Sequence, residues 1–155
     1  MKNNISSNIS YNEAVFSETA IRMDIDNTPN EEQLQAMSLV ADNVFQPLRE
    51  HFCLPIYVSS FYRCEALNTA INGSFNSSHL RGQAIDVDAD VFGGVTNAEI
   101  FNYIYENLSF DQLIWEYGTD SEPNWIHFSF VSKSKNRNQA LKCIKENGKT
   151  KYYQL

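Results

Sequence analysis

Apolar residues recur along this chain at two periods, helical in the first third and strand-like after it. Met1–Ser10 is polar, rich in Asn and Ser, and reads as a flexible N-terminal arm, residues 1–10. Val15, Phe16, Ala20, Ile21 and Met23 then predict a short helix between Asn12 and Met23. Thr28-Pro29-Asn30-Glu31 has the residues of a helix start: Thr28 to cap, Pro29 for the first helical position, Glu31 to close a capping box. Leu34, Met37, Val40, Ala41, Val44 and Leu48 follow at helical spacing, so one face of this helix is core. Pro47 is expected to kink or end it.

From Leu54 onward the period shortens. Leu54–Ser59 reads as a strand, and Cys64–Ile71 as a helix closed by Asn72-Gly73. Gln83–Asp88 alternates with period two, which puts Ala84 and Asp86 on one face. Thr96 with Glu99 makes a second capping box ahead of Ile100, Ile104 and Leu108. Gln112–Trp115 and Trp125–Val131 are two further strands, joined by the polar Gly118–Pro123 segment. A last helix is expected over Asn138–Glu146, with Asn147-Gly148 as its C-cap. Helices first and clustered strands later predict an α+β fold, with one domain over residues 11–155.

Composition narrows the function classes. The 155 residues carry 12 Lys+Arg against 19 Asp+Glu, a net charge of −7, which argues against a nucleic-acid partner and against docking on anionic membranes. Hydrophobic residues at 43% and aromatics at 13% exclude intrinsic disorder, and no stretch approaches the ~20 apolar residues of a membrane span. Cys53, Cys64 and Cys143 show no CxxC spacing and predict reduced, mostly buried thiols. The start of the chain lacks the apolar core of a signal peptide, so synthesis in the cytoplasm is expected.

Candidate chemistry centres on two of the three histidines. His79 lies in Ser77-Ser78-His79-Leu80-Arg81-Gly82-Gln83-Ala84-Ile85-Asp86, and His127 in Asn124-Trp125-Ile126-His127-Phe128. A tight turn at Gly82 would fold the loop onto the strand bearing Asp86. His127 on a neighbouring strand would complete two imidazoles and one carboxylate, a set that suits Zn2+ with a fourth position open to water. Residues of these types on strands also serve as ordinary hydrogen-bonding partners, and spacing does not separate the two readings. Asp86-x-Asp88-x-Asp90 resembles the start of a calcium loop, but Val91 and Asn97 stand where Gly and an acid are needed. Asp88 is left as a supporting acid for His79 or Asp86. His51, at the end of the long helix, suits a C-terminal dipole role, and the aromatics Tyr103, Tyr105, Trp115, Tyr117 and Trp125 favour core packing over a sugar platform.

The run Ser77-x-His79-x-x-Gly82-x-Ala84-x-Asp86 followed by Trp125-x-His127 resembles the zinc D-Ala-D-Ala carboxypeptidases, peptidase family M15, and within it the phage-type branch. Val58-Ser59-Ser60-Phe61-Tyr62-Arg63 and Leu67-Asn68-x-Ala70-Ile71-x-Gly73-Ser74 are similar to the family's Ser-Gly-Tyr-Arg segment and the helix after it. Asp26-Asn27-Thr28-Pro29 and Gln46-Pro47-Leu48-Arg49 extend the likeness, which runs from Asn12 to Val131. The resemblance implies a hedgehog/DD-peptidase-like fold, with N-terminal helices packed on a small, mostly antiparallel sheet that carries the zinc site.

The resemblance further implies that His79, Asp86 and His127 hold one Zn2+. Glu116 matches the family's catalytic glutamate, a general base; Glu122, nearer to His127 in sequence, competes for that role, and Asp120 less so. Arg63 matches an arginine that faces substrate, pairing with a carboxylate or stabilising an oxyanion. Ser77 and Trp125 are further substrate-binding candidates. Phe61 stands where the family has Gly, and a bulky residue there would narrow the pocket or shift Arg63. The expected function is a zinc metallopeptidase cleaving peptidoglycan stem peptides, as carboxypeptidase or endopeptidase, delivered to the wall in a phage or prophage setting. The alternative is a zinc-containing module that binds wall peptides or sugars without cutting them.

Overall fold

Period-two alternation builds a six-stranded sheet with two unlike faces, seen in a computed structural model that describes residues 4–155. Its strands are β3 (Tyr57–Ser60), β4 (Ala84–Asp88), β5 (Gln112–Glu116), β6 (Trp125–Ser129), β7 (Gln139–Glu146) and β8 (Lys149–Gln154). They are ordered β3-β4-β6-β5-β7-β8, and every neighbouring pair is antiparallel except β5 with β7. Asp86 lies opposite His127, His127 opposite Ile114, and Trp125 opposite Glu116, so these residues share a face. The other face presents Ile85, Val87, Leu113, Ile126 and Phe128, all wholly buried. A one-residue slip of β4 or β6 would exchange the polar row for core, which pins the register.

That second face shares one apolar cluster with Met37, Val40, Val44 and Leu48 and with Ile100, Phe101 and Ile104. The result is a single α+β domain, as the sequence predicts. Among the described residues no helix is long and apolar enough to cross a membrane. The first group comes from α3 (Glu31–Val40), a π turn at Ala41–Phe45 and α4 (Gln46–Phe52), the second from α6 (Asn97–Asn107). The α6 capping box of Thr96 and Glu99 forms as expected. The α3 start does not: Asn30 is the cap, boxed with Gln33, while the Thr28 hydroxyl donates to Asp26. Pro47 does not end the helical run. It occupies the first turn of α4, and the wide π turn before it lets the chain continue past a residue with no N–H to give.

Three further expectations are corrected at the ends of the chain. Residues 4–10 are not a loose arm: β1 (Asn4–Ser6) and β2 (Ile9–Ser10) pair as a hairpin, with Ile5 and Ile9 buried in the core. Met1–Asn3 lie outside the described residues. The single helix over Asn12–Met23 is two, α1 (Tyr11–Val15) and α2 (Glu18–Arg22), because Ser10 and Ser17 each cap a new start. The last helix is strand β7, turning into β8 at Asn147-Gly148, where both residues have positive φ, 50° and 76°. A two-residue turn of that kind suits the twist of a hairpin.

Between β3 and β4 the chain forms α5 (Glu65–Ala70) and a 3-10 turn at Ser78–Arg81, closed by Gly82 at φ 70°. A Cβ on Gly82 would stand 2.6 Å from the Gln33 carbonyl oxygen and 2.8 Å from Met37 Cγ. The left-handed backbone alone costs a side-chain-bearing residue ~1–2 kcal/mol, and the clash with backbone adds to it. Gly82→Ala is therefore expected to lose about 2–3 kcal/mol of stability, read as a lower urea midpoint at unchanged slope.

Candidate metal centre

The turn closed by Gly82 sets the first donor. Ser77 caps it by accepting from the His79 backbone N–H, and His79 is buried to 1% exposure. Its Nδ1 lies 2.6 Å from the Phe61 carbonyl oxygen. A carbonyl only accepts, so Nδ1 carries the proton and Nε2 is turned toward Asp86 Oδ1 at 3.2 Å. From the neighbouring strand His127 Nδ1 reaches the same oxygen at 2.8 Å. One donor atom from each of His79, Asp86 and His127 lies within 4.8 Å of the others.

Electrostatics then decide what this group wants. Burial pushes the His79 imidazole down, against the pull of Asp86. Burial opposes ionisation of Asp86 as well, but the charge of a protonated His79 and the hydrogen bond from His127 outweigh it and hold the carboxyl far below the usual range, while burial works to take that charge off His79. A neutral His79 protonated at Nδ1 points a lone pair at a carboxylate oxygen, and two acceptors that face each other in a buried site repel. A cation among the three donors removes that conflict. Two imidazoles, one hard oxygen and a carbonyl that fixes the ring of His79 fit a divalent ion such as zinc.

Glu116 closes β5 on the triad's face, 8% exposed. Burial, only partly offset by His127, pushes its carboxyl up to about 7. Arg63 sits across the site, its backbone N–H donating to the His79 carbonyl and its Nη2 reaching Ser77 Oγ at 3.5 Å. Burial pulls the guanidinium down while the Asp86 charge acts against that, and its Nε is buried without a partner. The Trp125 ring lies tilted against Tyr117 with centroids 5.3 Å apart.

The competing acids serve other ends. Glu122 accepts from the Ala98 N–H in the first turn of α6, and Asp120 pairs with Lys142. Asp88 accepts from Asn97 Nδ2 and from its neighbour Asp90, so it braces the start of α6 rather than orienting His79 or Asp86. His51 stacks on Tyr103 at 4.0 Å. Phe61 does not narrow the site: its ring is 2% exposed in the main core, and its carbonyl is what holds His79. No side-chain pattern announces a backbone carbonyl, so that partner was invisible in the sequence. All three cysteines are free, but only Cys143 is buried; Cys64 is half-buried and Cys53 exposed.

No curated protein matches the chain. Residues 7–129, a span that opens in the turn of the N-terminal hairpin and ends with β6, hold every member of the triad together with Arg63 and Glu116. That span matches the family model described as Peptidase M15, and the chain belongs to this family of metallopeptidases.

Proposed function

We propose that the protein is a zinc-dependent peptidase acting on peptidoglycan stem peptides, as a D-Ala-D-Ala carboxypeptidase or a related endopeptidase. The carrying observation is the buried His79–Asp86–His127 group with Glu116 on the same sheet face. In this reading His79 Nε2, Asp86 Oδ1 and His127 Nδ1 hold the ion. Zinc bound by such a set supplies Lewis acidity, polarising a peptide carbonyl and acidifying water toward pKa ~7. Glu116 takes the proton from the attacking water and returns it to the departing amine. Its burial supports this, since a carboxylate with a raised proton affinity is the better base near neutrality. Arg63 offers its guanidinium to a substrate carboxylate or to the developing oxyanion, with Ser77 steadying it. Trp125, beside Glu116 at the start of β6, lines the substrate's approach. The packing of N-terminal helices on the sheet belongs to the same hedgehog/DD-peptidase-like reading, as does delivery to the wall by a phage or prophage.

The test is direct. Zinc-loaded protein is incubated with defined wall peptides, with and without a free C-terminal carboxylate, and products are identified by mass. Loss of a terminal D-Ala marks a carboxypeptidase, and internal cleavage an endopeptidase. Stoichiometric zinc and measurable affinity with no product from any wall peptide would overturn the enzyme reading in favour of a binding module. Glu122→Gln is expected to keep wild-type hydrolysis and to stay within about 0.5 kcal/mol of wild type in chemical denaturation, because its amide oxygen still accepts from the Ala98 N–H.

A further inference from the structure

The face that carries the triad continues beyond β5. β7 runs parallel to β5 with Cys143 opposite Glu116, and β8 places Tyr152 opposite Cys143. Alternation puts all three side chains on the triad's face, and directly opposed residues stand close enough to touch. Cys143 is fully buried, and no Lys or Arg among the described residues is ion-paired with Glu116. The backbone is held on both sides: the Tyr117 N–H donates to the Cys143 carbonyl, and the Asn124 N–H to the Glu116 carbonyl, each at 2.9 Å. What is left to fix is the Glu116 side chain.

We propose that Cys143, backed by Tyr152, is the positioning residue for Glu116: its S–H donates to the carboxylate and holds it toward the triad, while the Tyr152 hydroxyl donates to the sulfur from behind. The proposal rests on the reading of Glu116 as the proton-transferring base. It concerns the β7–β8 hairpin, outside the residues 7–129 that define the family match. The register makes Glu116 and Tyr152 the cross-strand neighbours of Cys143 on either side. A thiol suits the task because it is a weak donor. A guanidinium or a pair of hydroxyls would stabilise the ionised carboxylate and lower its basicity, and a base must keep its affinity for the proton it takes. Burial pushes the thiol up to about 11, so it keeps its proton at neutral pH.

Two measurements on the zinc-loaded full chain test this. The first is the infrared S–H stretch of Cys143, isolated as wild type minus Cys143→Ala. It is expected to move to higher frequency in Glu116→Gln and further in Glu116→Ala, and a band that does not move overturns the proposal whatever the activity. The second is hydrolysis of a wall peptide. Cys143→Ala is expected to lower kcat about tenfold with KM and zinc content unchanged, because the base is no longer held in line. Cys143→Ser, a stronger donor of similar shape, is expected to recover kcat at alkaline pH and to move the acidic limb of kcat/KM to lower pH. Wild-type kcat and pH profile in Cys143→Ala would overturn the proposal. If wild type cleaves no peptide and the infrared band still moves, the contact stands and the peptidase reading is what falls.

Discussion

Glu116→Gln is expected to lower kcat for wall-peptide hydrolysis by about 10²–10⁴-fold while zinc stays at one ion per chain. The range is what a positioned acid–base group contributes to a proton-transfer step. The amide keeps the size and one acceptor of the carboxylate but cannot take a proton, and Glu116 is not among the three donors that meet around Asp86. Metal content by elemental analysis and kcat by product release separate the two roles. Lost zinc would make Glu116 a ligand, and unchanged kcat would remove it as base, with Glu122 excluded by the same assay if its Gln variant stays active.

The same substitution has a signature in stability. Burial raises the Glu116 carboxyl from 4.5 to about 7, so the folded metal-free protein binds this proton more tightly than the unfolded chain does. Stability then falls as pH rises through that window: below about pH 4.5 both states are protonated, and above about pH 7 the folded state carries an ionised carboxylate that burial disfavours. The loss amounts to about 3 kcal/mol at ~1.4 kcal/mol per pH unit. Metal-free Glu116→Gln lacks this slope. It is expected to be more stable than metal-free wild type at about pH 8 and equal to it at about pH 4, as read from urea midpoints.

Which parts of this design show in the sequence follows from how local their causes are. Thr96 with Glu99 and the glycine at residue 82 are choices made within one turn, and both act as read. The His–Asp–His group is legible because a turn and a period-two strand bring His79 onto Asp86 within eight residues, leaving one strand pairing to add His127. Where the expectation fails, two local answers were close and something distant chose. Asn147-Gly148 serves a helix end or a hairpin equally well. Ala140-Leu141-x-Cys143-Ile144 suits either period, and the open edge of β5 decides for strand. Ile5 and Ile9 are two apolar residues in a polar stretch, and only the core they enter makes them a hairpin. Phe61 reads as a bulky intruder when its side chain is judged, yet its contribution is a carbonyl.

Asp86→Asn is expected to abolish zinc binding and leave the metal-free fold at least as stable as wild type. In the wild type Asp86 Oδ1 accepts from His127 Nδ1 at 2.8 Å but faces the unprotonated Nε2 of His79 at 3.2 Å. An asparagine oxygen in the place of Oδ1 can still accept from His127, while the buried negative charge that faces the His79 lone pair disappears. The triad loses its one anionic ligand in exchange. That should cost far more affinity than the ~10–100-fold that follows loss of an outer hydrogen-bonding partner. Linkage makes the difference visible: zinc at a thousand times its Kd stabilises a site that binds only in the folded state by about 4 kcal/mol. Wild type should therefore gain several degrees in Tm between chelator and zinc, and Asp86→Asn should gain none. If wild type shows no zinc-dependent shift, or if the variant is much less stable than wild type in chelator, the facing acceptors are not what shapes this site, because a carboxylate relieved by protons alone would predict both results.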